Sequence, residues 1–270
     1  MSREVLMRGN ETLAQQEYVE RQNRRKQMVA AARVLLLIFI LVLWEVSARM
    51  GWINDFIFSS PSKIAACFLT MAKDRSVFYH TGITVLETVI SFMLVLVLGI
   101  GGAVLLWSSK TLAEILDPYL VMLNSLPKSA LAPILIVWLG ANMRTIVVAA
   151  ISVAVFGSIL TLHNGFTNMD PDQMKLIYAL GGNRNDVLTK VLLPGSVPMI
   201  VSNMKVNVGL CLVGVIIGEF LAARAGLGYL IIYGSQVFKL DLVLMSIVIL
   251  CILSAVMYKG IAMAEKGIGR

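Results

Sequence analysis

The chain has 270 residues, 58% hydrophobic and 14% charged, with a mean hydropathy of +0.81 and a net charge of +7. A soluble domain holds about 25% charged residues, so these values exclude one and point to an integral membrane protein built of helices. Three scattered cysteines (Cys67, Cys211, Cys251) suggest neither a disulfide framework nor a metal cluster, and there is no G-x-x-x-x-G-K-[ST] phosphate loop, so ATP-driven work needs a partner chain.

Residues 1–28 are polar, with Glu11, Glu17 and Glu20 set against Arg21, Arg24, Arg25 and Lys26. The stretch is too long and too mixed in charge for a signal peptide, and it reads as a tail lying near the lipid headgroups. Residues 29–270 form the membrane domain. The first apolar run, 29–50, is long enough to span and carries Glu45 near its end. In the mixed segment 51–81, Pro61 starts a short helix that runs to about Lys73. The second run, 82–107, has Glu87 near its start, and Gly99, Gly101 and Gly102 open it to close packing. Residues 108–117 are a polar break.

The third run, 118–140, is interrupted by Pro118, Pro127 and Pro133. Proline frees carbonyls that need partners at membrane depth, which predicts a kinked helix lining the interior, with Asn124, Pro127 and Lys128 as candidate path residues. Lys128 sits at mid-membrane if the span starts at Pro118, or at the boundary if residues 116–126 lie flat. The fourth run, 144–162, is plain. A polar island, 175–198, follows. Its spacing predicts a short helix at 175–180, a turn at Gly181-Gly182, a second helix capped by Asn183, and prolines at Pro194 and Pro198. The fifth run, 199–222, carries Asn203, Asn207, Cys211, Gly214 and Gly218 on one face. That stripe suits a seam at Gly214 and Gly218 and a translocation path at Asn203 and Asn207. The sixth run is 240–258.

With the N-terminus inside, 14 Lys and Arg fall on the inner segments, including Lys110, Lys175, Arg184 and Lys190, and 7 on the outer ones. This bias fits six spans with both termini in the cytoplasm, and it puts the island there too. Ionisable residues at membrane depth are functional candidates: Glu45, Glu87, Lys128, Lys205 and Glu219. Lys205 can snorkel to the inner headgroups, and Arg224 is available to partner Glu219. His80 and His163 stand apart, which makes a poor metal site, and no nucleophile–base pair marks a catalytic centre.

Several patches, in order, resemble the permease subunits of binding-protein-dependent ABC importers of the nitrate, sulfonate and taurine type. FSSPSKI and NSLPKSALAPILIVWLG are similar to segments of that branch, and so is GEFLAARAGLGYLI through Glu219, Gly226, Leu227 and Gly228. The island fits the family's loop pattern at Gly181 and at Val191, Leu193 and Pro194, while Lys175, Leu176 and Ile177 replace the usual E-A-A. The resemblance implies an all-α, six-span fold of the type I importer kind. It makes 164–198 a cytoplasmic loop that docks on an ATP-hydrolysing subunit through Lys175, Tyr178, Ala179, Leu180, Gly181, Gly182, Asn183, Arg184 and Pro194. Asn124, Pro127, Lys128, Asn203, Asn207 and Glu219 become the candidate path.

The implied assembly has a second permease subunit (the same or a different chain), two ATP-binding subunits that hold ATP and Mg, and an extracytoplasmic binding protein, all in or at a bacterial inner membrane. No nucleic acid is involved. The implied solute is a sulfonate-, nitrate- or taurine-like anion or a vitamin precursor. The rival is an ion-coupled secondary transporter, which needs inverted repeats and intramembrane carboxylates away from the span ends.

Overall fold

The computed structural model describes residues 2–268, which are helical wherever they form regular structure. The chain divides into two compact units, residues up to Ala65 and residues from Ala66.

In the first unit one helix, α1 (Ser2–Arg49), runs without a break, so the polar stretch and the first span share a single rod. Its stretch Glu20–Arg49 is long and apolar enough to cross a membrane. A short α2 (Asp55–Phe58) follows, and Pro61 opens α3 (Pro61–Lys73) as its spacing predicts. Glu45 has local partners: one carboxylate oxygen accepts from Arg49 Nε at 2.7 Å and the other from Ser62 N–H at 3.1 Å. A carboxylate on the first turn of α3 satisfies an orphan donor there and suits the helix dipole.

The second unit is a bundle. Its long helices are α4 (Ser76–Ser108), α7 (Met143–Thr167), α11 (Val197–Ala222) and α13 (Leu240–Ile268). α7 packs chiefly on α11 and α4. Between them Phe92, Val95, Ala154, Val155, Val208 and Cys211 form a buried core. Glycine sets the separation of α7 and α11: a Cβ on Gly214 would lie 2.6 Å from Ala150 Cα, and one on Gly218 2.9 Å from Ile146 Cα. Gly214 and Gly218 therefore sit in a seam, where any side chain would push the helices apart.

The third apolar run differs most from its expected form. Residues 108–117 are not a break. Only Ser109 interrupts the helix, and its hydroxyl accepts from Leu112 N–H to start α5 (Lys110–Ser125). Then α6 (Lys128–Leu139) leaves at 94°, so 118–140 is two helices meeting at a sharp bend rather than one kinked rod. Pro127 stands at the corner, where the residue before a proline resists the helical conformation. Lys128 Nζ donates to the carbonyls of Leu123, Asn124 and Leu126 at 2.7, 2.7 and 2.9 Å. A cation on the last carbonyls of α5 supplies the partners that the break removes. Among the described residues five helices are long and apolar enough to cross a membrane, six if the bent pair is one span.

Two further differences concern ends. α12 (Leu227–Gln236) fills the stretch after the fifth run, where the apolar pattern is too short to mark a span. Pro194 does not end a helix, because the chain passes through it in a helical path from the π-helical Leu188–Leu192 into α10 (Leu193–Gly195). The longer π turn accommodates the missing proline N–H.

Candidate functional site

The bundle has two polar ends. The C-terminal ends of α4 and α7 meet the N-terminal end of α11 at one, which carries the connecting loop. The opposite ends of the same helices meet at the other.

At the loop end, Asp170 caps α8 (Pro171–Ala179) by accepting from Asp172 N–H at 2.9 Å, with Pro171 in the first turn. α8 closes on a Schellman turn: Gly181 N–H donates to Tyr178 O at 3.0 Å and Gly182 N–H to Ile177 O at 2.9 Å. Gly181 takes φ +82°, the conformation that L side chains resist. A Cβ there would meet nothing within 4 Å, so a substitution is opposed by the backbone and not by a neighbour.

The chain then starts α9 (Arg184–Val187) with a reciprocal cap. Asn183 Oδ1 accepts from Asp186 N–H at 3.1 Å, and Asp186 Oδ2 accepts from Asn183 N–H at 2.9 Å. Lys190 lies 2.6 Å from the other Asp186 oxygen. The Lys190 ammonium first, and the Asn183 N–H second, hold the Asp186 carboxyl below the ordinary aspartate range. Arg184 Nη2 reaches back to Trp107 O at 2.6 Å, with its guanidinium 4.9 Å from the centre of the Trp107 ring.

The two halves of the loop are unlike. Val187 and Leu192 are buried, Leu192 in a cluster with Ala103 of α4 and Leu162 and Phe166 of α7. α8 has no buried residue: Met174 and Ile177 are half-buried, and Leu176, Tyr178 and Leu180, 59%, 51% and 76% exposed, give it an apolar outward face. Lys175 pairs with Asp172 at 2.8 Å, which leaves that face without a free lysine charge.

At the far end, polar side chains from α4 and α11 converge on the start of α12. His80 Nδ1 accepts from Gly226 N–H at 3.0 Å, Thr84 Oγ from Leu227 N–H at 2.8 Å, and Glu219 Oε2 from Gly228 N–H at 2.5 Å. The Thr84 hydroxyl in turn donates to Glu219 Oε1 at 2.7 Å. Glu87 neighbours Glu219, both are almost fully buried, and Glu87 Oε2 has no hydrogen-bond partner among the described residues. This is a complete N-terminal cap, with a carboxylate where the helix dipole favours one. Gly226 takes φ +118°, and a Cβ there would overlap the Glu219 carboxylate. Arg224, the partner expected for Glu219, is exposed instead; Thr84 and Gly228 hold the carboxylate. Beside the cluster a cavity of about 280 Å³ is lined by Glu87, Asn142, Ile146 and Arg224 among others.

The candidate path residues do not converge on one point. Asn203 and Asn207 both donate to Ser158 Oγ, at 2.7 and 3.0 Å, and so lie in the buried α7–α11 seam. Asn124 faces Gly157 of α7, near the bend that Pro127 and Lys128 form. Glu219 is twelve residues beyond Asn207, roughly 18 Å along the helix. Lys205, expected to snorkel, is paired with Glu265 of α13 at 2.5 Å. Sequence reasoning missed Thr84, Ser158, Trp107 and Glu265, whose partners lie 45 to 143 residues away and leave no local pattern. Among the described residues no cluster of three His, Cys, Asp or Glu could hold a metal.

Comparison with known proteins agrees with this architecture. Residues 95–268 match the family described as the binding-protein-dependent transport system inner membrane component. The chain belongs to that family, the membrane-spanning permease subunits of ABC importers. It is 28% identical over 225 residues to a probable ABC transporter permease protein of Haemophilus influenzae, covering 83% of this chain and 91% of that protein. It is 25% identical over 236 residues to a putative aliphatic sulfonates transport permease protein of Bacillus subtilis, covering 87% and 86%. Its fold is similar to a chain of the MetNI methionine ABC transporter in inward facing conformations, with a TM-score of 0.65, 19% identity, and 72% and 96% of the two chains covered.

Proposed function

We propose that the loop at residues 168–196 is the element through which an ATP-binding subunit drives this permease. The observation that carries the reading is the division of the loop into a rooted half and a hanging half. Val187 and Leu192 anchor α9 and the π turn, whereas α8 presents Leu176, Tyr178 and Leu180 to the surroundings. Apolar side chains grouped outside the bundle core mark a surface that another molecule covers. A groove on an ATP-binding subunit is the occupant that family membership supports, and the replacement of E-A-A by Lys175, Leu176 and Ile177 fits an apolar groove.

The assembly we infer contains a second permease subunit, two ATP-binding subunits that hold ATP and Mg, and an extracytoplasmic binding protein. Family membership supports a bacterial inner membrane, and the Lys and Arg distribution supports the loop and both termini in the cytoplasm. Similarity to a sulfonate permease supports a small anion as solute, with nitrate- and taurine-like anions and vitamin precursors in the same range. ATP-driven closure of the partner subunits would move α8, and the bundle would exchange inward- and outward-facing states.

The test is a double variant, Leu176→Asp with Leu180→Asp, purified from membranes beside the unaltered chain. It is expected to stay in the membrane and lose its ATP-binding subunit. A variant that retains the subunit at the normal ratio contradicts the reading.

A further inference from the structure

The hanging half of the loop enters the bundle only through Met169, which packs on the Ala103, Leu162 and Phe166 cluster; α8 itself has no buried residue. Between α8 and the end of α4 lies a cavity of about 550 Å³, lined by Trp107, Lys110, Phe166, Met169, Pro171 and Met174 among others. Across that cleft α8 and the end of α4 are not tightly packed. Leu192 packs on the cluster that includes Ala103 of α4, and a polar contact to the end of α4 sits at the first residue of α9, directly after the Gly181-Gly182 turn. There Arg184 Nη2 donates to Trp107 O at 2.6 Å and its guanidinium lies over the Trp107 ring. The two residues are 77 apart in sequence.

Each half of this contact has a physical reason. Trp107 is in the last turn of α4, where backbone carbonyls lack intrahelical donors and the helix dipole favours a cation. The guanidinium is planar, so one side chain stacks on the indole face while an N–H points at the carbonyl; a lysine ammonium does not reproduce both. Arg184 itself is held at a fixed angle, since the Asn183–Asp186 cap sets the start of α9.

We propose that Arg184 is the positioning residue that transmits movement of α8 to α4, acting as a strut between the docking loop and a membrane-spanning helix. This rests on the coupling role of the loop. The resemblance counts Arg184 among the docking residues, but its guanidinium is engaged with Trp107 of α4; docking is thus assigned to α8 and transmission to Arg184, and the two are separable by mutation.

The experiment uses the complete complex with its ATP-binding subunits, in a chain lacking the native cysteines and carrying a fluorophore at Arg224→Cys, an exposed position at the far end. Three quantities are read: the amount of ATP-binding subunit bound, the rate of ATP hydrolysis, and the ATP-driven fluorescence change. Arg184→Ala is expected to keep the subunit and hydrolyse ATP while the far-end change falls about tenfold, as loss of a charge-assisted contact allows. Arg184→Lys and Trp107→Leu each keep one half of the contact and are expected to lose about threefold.

A merely structural role would lower all three quantities together. The proposal is overturned if the far-end response is unchanged in Arg184→Ala, or if that variant releases the subunit. Where Arg184→Ala does not accumulate, Arg184→Lys and Trp107→Leu decide, an unchanged response in both overturning the proposal. The Leu176→Asp, Leu180→Asp variant separates the two claims. If it keeps both subunit and response, the coupling reading of the loop fails, whatever Arg184 does.

Discussion

The two ends of the bundle face one problem, a helix start that must find partners for its N–H groups, and answer it in opposite ways. α9 is capped by Asn183 and Asp186, neighbours three residues apart. α12 is capped by His80 and Thr84, 146 and 143 residues away, and by Glu219 from another helix. A local cap leaves the loop free to keep its shape while it moves. A distant cap fastens α4, α11 and α12 into one body. The loop end thus sets its own turn and cap locally while Val187 and Leu192 root it in the bundle, and the far end is held together by residues distant in sequence.

The sharpest way to break this contrast is at the far end. Gly226→Ala forces a Cβ into the Glu219 carboxylate at φ +118°, and Glu219→Leu strands the buried Gly228 N–H and removes the Thr84 hydroxyl's nearer acceptor. Each is expected to cost about 3 kcal/mol or more, read as a lowered unfolding midpoint in detergent. Glu219→Gln keeps one acceptor oxygen and is expected to cost less than half as much. At the loop end Asn183→Ala removes one cap, about 1 kcal/mol, and faster amide exchange is expected in residues 184–187 with no change in the global midpoint. A global shift would mean that the loop is not an independent unit.

Acid sharpens the same point. The Asp186 carboxyl is held below the ordinary aspartate value, so its contribution is complete above the unfolded value near 3.8 and disappears as pH falls through the depressed folded one. Protease cleavage within 183–192 is expected to rise in that acid window and not between pH 5 and pH 8. Lys175→Ala is the smallest change: its pair with Asp172 is exposed, and no measurable loss of stability is expected.

How much of this was legible in the sequence follows from the same contrast. The helix, glycine turn and Asn183 cap are local, and they could be read because their partners lie within a few residues. Gly214 and Gly218 could be read as a seam because helical spacing puts them on one face. Glu87 and Glu219 stood out only as charges at membrane depth. Their neighbours Thr84 and His80 carry no signal, since a threonine that caps a helix 143 residues away looks like any other threonine. Lys128 was ambiguous for a related reason: whether it sat at mid-membrane or at the boundary depended on the course of residues 116–126, and the 94° bend there is one that three prolines allow but do not specify. α12 went unseen because ten residues are too few for a span and its cap is entirely non-local.

The measurement that tests the central claim most directly is mild-detergent purification of the tagged chain from its native membranes, with mass spectrometry of what accompanies it. The account predicts a stoichiometric partner that carries a G-x-x-x-x-G-K-[ST] phosphate loop. A chain that purifies alone, and in liposomes moves solute on an ion gradient without ATP, would contradict it.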